Sequence, residues 1–117
     1  MTIDYDGRTF ASVWNSAAGD VGSGTLFHYR HRDDVVWATY KGGGIAQGTL
    51  IARVLNDGAL DMRYQHITVD GAIKTGRCAS RAEILVDGRI RLHERWQWTE
   101  GGSDVGESVV EEIAAGS

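Results

Sequence analysis

The chain contains no proline and only one cysteine in 117 residues. A lone Cys78 excludes an internal disulfide framework, and the missing proline excludes proline-rich linkers. Basic residues are not in excess: the formal charge is -4. The long-range attraction that dominates binding to nucleic acid and anionic membranes is therefore absent, and neither is expected as a partner. The opening "MTIDYDGRTF" has neither the basic start nor the apolar run of a secretory signal, so a cytoplasmic location is expected. No apolar run approaches the roughly 20 residues of a membrane-spanning helix. Nothing repeats at a solenoid period, and no long segment carries a helical apolar stripe. What is left is one domain, residues 1–117, with a single modest core.

Glycine is plentiful, at 16 residues, about twice its usual share of roughly 7%. Segments of period two follow one another: "RTFASVW", "GTLFHYRHR", "VVWATYK", "GTLIARVL", "LDMRYQHITV", "AIKTGRCASRAEI" and "IRLHERWQW". Asn56-Asp57-Gly58, Asp70-Gly71 and Asp87-Gly88 are hairpin turns in which glycine takes the positive φ that a tight reversal requires. Treating each as a three-residue loop predicts the register. Leu50 then faces Tyr64, Met62 faces Cys78, Tyr64 faces Gly76, Cys78 faces Trp96, Ser80 faces Glu94, Ala82 faces Leu92 and Ile84 faces Ile90. On the opposite face the same register pairs Arg53 with Asp61 and Glu83 with Arg91. The closing "ESVVEEIA" reads as a further strand, with a short helix capped by Ser108 and Glu111 as the alternative.

One apolar face per strand in an antiparallel up-and-down meander is buried most simply by closing the sheet into a small β-barrel, which also removes its edges. A sandwich is the alternative. The inward face of the segments around 8–14, 24–32, 35–41 and 107–114 is not decided by pattern. Inward residues are otherwise a mixture. Leu50, Leu60, Met62, Ile84, Ile90, Leu92, Trp96 and Trp98 are large and apolar, while Gly48, Ala52, Gly76, Cys78, Ser80 and Ala82 are small. Small residues facing indoles either let the rings fill the barrel or leave space for one small ligand.

Polar members of the inward set favour a pocket: Tyr64, His66, Ser80 and Glu94, with Tyr29 and Tyr40 placed less firmly. Glu94 is the costliest, because a desolvated carboxylate needs a partner, a proton or water. Ser80 and an indole N–H are its nearest donors by register. Glu94 and His66 are the candidates for proton transfer. The register, however, puts them roughly 20 Å apart along the sheet, so that they could meet only across the barrel. His66 by itself reads as a hydrogen-bonded histidine at the rim.

Weaker features carry no chemistry. His28 and His31 are three apart and face opposite sides of a strand, so no metal site is expected. "GDVGSG" and "KGGGIAQG" lack the ending of a phosphate loop and read as flexible connections, and no cofactor is expected. Cys78 reads as a small core residue. Arg53, Arg63, Arg77, Arg81, Arg91 and Arg95 form an outer stripe interspersed with carboxylates, which solvation explains.

The blocks "FHY", "GTLI", "DMRYQ", "TGRCAS", "IRLHERWQW" and "SVVEEI" together resemble a family of small bacterial proteins labelled "N-acetylglutamate synthase", over roughly residues 24 to 113. The resemblance implies a calycin-like barrel of lipocalin or fatty-acid-binding type. It implies no secure activity: an acetyl-CoA-dependent synthase needs a cofactor-binding α/β domain, and the chain shows no βα alternation. Tyr64, Glu94, Trp96 and Trp98 sit in the matching blocks, and His66 follows one of them. The expectation is a barrel whose ligand-binding lining is Tyr40, Tyr64, His66, Cys78, Ser80, Glu94, Trp96 and Trp98, and whose partner is a small hydrophobic or aromatic molecule. Two alternatives are a cofactor-free isomerase or cyclase using Glu94 or His66, and a filled barrel acting through its outer surface or as a homodimer.

Overall fold

Gly58, Gly71 and Gly88 each end a hairpin loop with positive φ, at 84°, 94° and 88°. The residues flanking each loop close it with a backbone hydrogen bond: Leu55 N–H donates to Ala59, Thr68 to Ala72 and Leu85 to Arg89, all at 2.8 Å. These closures fix the register of the sheet. A computed structural model describes residues 3–16, 22, 24–100 and 104–113, and in it every described element is a strand. In chain order they are β1 (Thr9–Asn15), β2 (Leu26–Arg32), β3 (Val35–Gly42), β4 (Ile45–Val54), β5 (Leu60–Thr68), β6 (Ile73–Ile84), β7 (Ile90–Glu100) and β8 (Val105–Glu112). Each pairs antiparallel with the next, and β8 returns to β1, so that the meander closes into an eight-stranded barrel.

The register is the expected one throughout β4 to β7, including Tyr64 opposite Gly76, Cys78 opposite Trp96 and Ser80 opposite Glu94. On the outer face Asp61 bonds Arg53 at 3.1 Å and Arg63 at 2.8 Å, and Arg91 bonds Glu83 at 3.4 Å and Glu111 at 2.8 Å. Solvent screens such exposed pairs, so they support the register more than the stability. The "ESVVEEIA" segment is a strand rather than a helix, held between β7 and β1.

Two details differ from expectation. Ile84, the last residue of β6, is 48% exposed, although its cross-strand partner Ile90 is buried. The glycines of "KGGGIAQG" are not a loose connection. Gly42 and Gly43 take positive φ in a tight β3–β4 turn, and Gly42 O accepts a 2.9 Å hydrogen bond from the fully buried Thr25 hydroxyl. Of "GDVGSG", all but Gly22 and Gly24 lie outside the described residues.

The barrel is filled at one end and not at the other. At the end where β2–β3, β4–β5 and β6–β7 turn, Phe10, Tyr29, Val36, Leu60, Ile90, Leu92 and Val110 are buried to 1% exposure or less. Beneath them lies Tyr5, from the segment that precedes β1. Its ring is fully buried, centred 6.2 Å from Tyr29, and its hydroxyl donates to Gly58 O at 2.7 Å. Its own N–H donates to His31 Nδ1 at 3.1 Å. Tyr5 is thus a plug. It was not legible as one, because a single aromatic in "TIDYDG" has no periodic neighbours to announce its burial. Replacing a fully buried aromatic by alanine removes its transfer energy and leaves a cavity. Tyr5→Ala is expected to cost about 3 kcal/mol or more in urea denaturation, and Tyr5→Phe about 1 to 2 kcal/mol for the lost bond to Gly58.

Candidate interior ligand site

Three cross-strand pairs shape the unfilled end. Tyr40 lies opposite Gly48, Tyr64 opposite Gly76 and Trp96 opposite Gly106. In each pair the ring lies down on the glycine: a methyl group built on Gly48, Gly76 or Gly106 would overlap the atoms of Tyr40, Tyr64 or Trp96. The small residues therefore neither let the rings fill the barrel centre nor leave the wall bare. They let three rings lie against the wall, which keeps space between them.

That space is a cavity of about 50 Å³ lined by Asn15, Phe27, Tyr40, Leu50, Met62, Tyr64, His66, Cys78, Glu94, Trp96, Trp98 and Ser108. Seven of the eight expected lining residues are among them: Tyr40, Tyr64, His66, Cys78, Glu94, Trp96 and Trp98. Ser80 is not. It is buried beside Glu94, and its hydroxyl makes no hydrogen bond among the described residues. Asn15, Phe27 and Ser108 were missed, since the pattern of β1, β2 and β8 does not tell which face turns inward.

The aromatic wall is continuous. Trp96 and Trp98 have centroids 5.5 Å apart, Tyr64 meets Trp98 edge-on at 5.6 Å, and His66 meets Trp98 edge-on at 5.4 Å. Lys74 Nζ sits 5.0 Å from the centre of Trp98, a cation held over a ring face. His66 is buried rather than at the rim, and its Nδ1 is 3.0 Å from the Tyr40 hydroxyl. Burial raises the Cys78 thiol well above its ordinary pKa, with Glu94 adding to the shift, so Cys78 is a protonated wall residue and not a nucleophile.

Glu94 does not take its hydrogen bond from Ser80 or an indole. The donor is Ser108 on β8, whose hydroxyl reaches Glu94 Oε1 at 3.0 Å because β7 and β8 pair those two residues directly. Among the described residues Ser108 is the only hydrogen-bond partner of this carboxylate, and no arginine or lysine pairs with it. Burial pushes its pKa up to about 7, with the Ser108 bond pulling the other way. Six residue positions separate His66 and Glu94 along the sheet, yet both line the one cavity. The curvature of a closed barrel brings side chains of β5 and β7, which β6 separates, to a common centre.

The structural class is a closed eight-stranded antiparallel meander, plugged at one end and hollow at the other. A family model described as "Avidin-like protein" matches residues 3–113, and the chain belongs to the avidin-like family, a calycin-superfamily fold. No curated protein and no solved structure matches the chain at comparable stringency.

Two outcomes follow from this geometry. With its folded pKa raised from 4.5 to about 7, protonated Glu94 contributes stability that is complete below pH 4.5 and is lost as pH rises through 7. The full span is on the order of 3 kcal/mol. Glu94→Gln should therefore be more stable than the parent at pH 8 and should flatten the fall in stability between pH 5 and 8 measured by urea denaturation. Gly48→Ala should force the Tyr40 ring off the wall, costing about 1 to 3 kcal/mol and breaking its contact with His66, visible as a shift of the His66 ring signals in NMR spectra.

Proposed function

We propose that the protein is a binding barrel for a small molecule, which enters at the end opposite Tyr5 and seats a compact group between Trp96, Trp98 and Tyr64 with its polar atoms toward Glu94. The observation that supports this reading is the three glycine-backed rings: a barrel evolved to be filled would turn such rings into its centre, whereas here glycines hold them aside. The avidin-like barrel binds small ligands such as biotin. A cavity of about 50 Å³ admits a group of only a few heavy atoms in this conformation. The rest of a larger ligand lies toward the mouth, where Tyr64 is only half-buried, or requires the rings to part.

Native mass spectrometry of protein purified from its own host is expected to show added small-molecule mass that is lost on denaturation. Tryptophan emission, dominated inside by Trp96 and Trp98, should respond to the same ligand, and biotin is the first compound to titrate. Protein free of added mass, with emission unmoved by its own host's small-molecule extract, would reject the reading.

A second reading has its own observation. A carboxylate with a pKa near 7 shares a cavity with His66, which suits a cofactor-free isomerase that moves a proton within a confined substrate. Glu94→Gln separates the two: a mere hydrogen-bond acceptor leaves turnover intact when replaced, whereas a proton carrier does not.

A further inference from the structure

The cavity holds the carboxyl of Glu94, with which no arginine or lysine pairs among the described residues. Glu94 faces inward from β7, and the groups turned toward it from the surrounding elements are Ser108 of β8, Ser80 and Cys78 of β6, and the Tyr29 ring of β2. Across the cavity stand Tyr40, Tyr64 and His66. Burial raises both Cys78 and Tyr29 well above their ordinary pKa, so both are neutral at physiological pH. Lys74 is spent on the outer ring of Trp98. Beside the carboxylate, Ser80 brings a second oxygen, 2% exposed and unpartnered among the described residues. Leaving such a hydroxyl buried is costly, and an ionised carboxylate without a counter-charge costs more.

We propose that the group seated on the cavity floor is a small planar cation bearing N–H donors, an amidinium or guanidinium. One N–H goes to the Glu94 oxygen that Ser108 leaves free, and the face of the group lies against Trp96. This rests on the small-molecule reading above and deepens it. The carboxylate of the lining matches this chemistry and repels an anion. Carboxylate and hydroxyl oxygens accept N–H bonds, ring faces attract cations, and the delocalised fork is weakly hydrated and so is cheap to desolvate. A planar group of four heavy atoms also suits the available volume. A neutral urea of the same shape would satisfy the oxygens but leave the charge uncompensated. The cation replaces the proton that Glu94 otherwise holds, so its binding releases that proton.

Methylguanidinium and its neutral isostere methylurea, at equal low-millimolar concentrations, provide the test. Tryptophan emission and the 13C signal of the Glu94 carboxyl are the readouts. Methylguanidinium is expected to bind at least about tenfold more tightly than methylurea at pH 8, and to lose about tenfold in affinity per pH unit below 7. It should also move the carboxyl titration to lower pH. Glu94→Gln should abolish the preference, and its fold is not at risk, since it removes a buried charge. Equal binding of the two probes, or a preference that survives Glu94→Gln, overturns the cation and leaves the small-ligand barrel standing. No response to either probe also overturns it, while the native-mass measurement decides the barrel's ligand separately.

Discussion

Everything distinctive about this molecule depends on the return of β8 to β1. Without that closure the sheet would be a curved meander with Glu94 facing water, and the carboxylate would cost nothing. With it, Ser108 lies against Glu94, Phe10 and Val110 complete the filled end, and the interior is dry enough to raise the carboxyl to about pKa 7. Closure converts a polar residue on a strand into a desolvated acid. It also explains how His66 and Glu94, far apart when measured along the sheet, come to line the same space.

The second constraint is how aromatic bulk is stored. A barrel of eight strands has an interior that side chains can just fill, and this one does so around Tyr5 and Tyr29. At the other end the same quantity of ring is laid flat by pairing each of Tyr40, Tyr64 and Trp96 with a glycine across the strand. The cost is weaker strand structure at three glycines. The gain is a wall of rings around open space, with the oxygen atoms of Glu94 and Ser108 in its lining. The packed core sits at the plugged end and the cavity at the open one.

Much of the site was legible because β4 to β7 are joined by three loops whose glycines leave only one register. That register placed Tyr64, Cys78, Trp96 and Glu94 on one face, and a period of two did the rest. Legibility stopped where such loops stop. The longer connection after β1, and the changing pattern of β1, β2 and β8, hid the inward turn of Asn15, Phe27 and Ser108. Ser80 was therefore assigned the bond that Ser108 makes. His66 was placed at a rim because strand position says nothing about how far neighbouring connections cover a residue, and Tyr5 was invisible because its burial depends on no strand at all.

By itself, then, the sequence determined the class of fold, the pairing of four strands and the inward face of those four, since alternation and turn chemistry are local and each is written in a few adjacent residues. Tertiary structure alone decided that the glycines hold rings against a wall, that one end is plugged and the other hollow, and that Glu94 meets the Ser108 hydroxyl and, among the described residues, no cation. Those are properties of closure. They arise from residues distant in the chain meeting across a common centre, and desolvation, which sets their energy, belongs to the enclosed volume rather than to any strand.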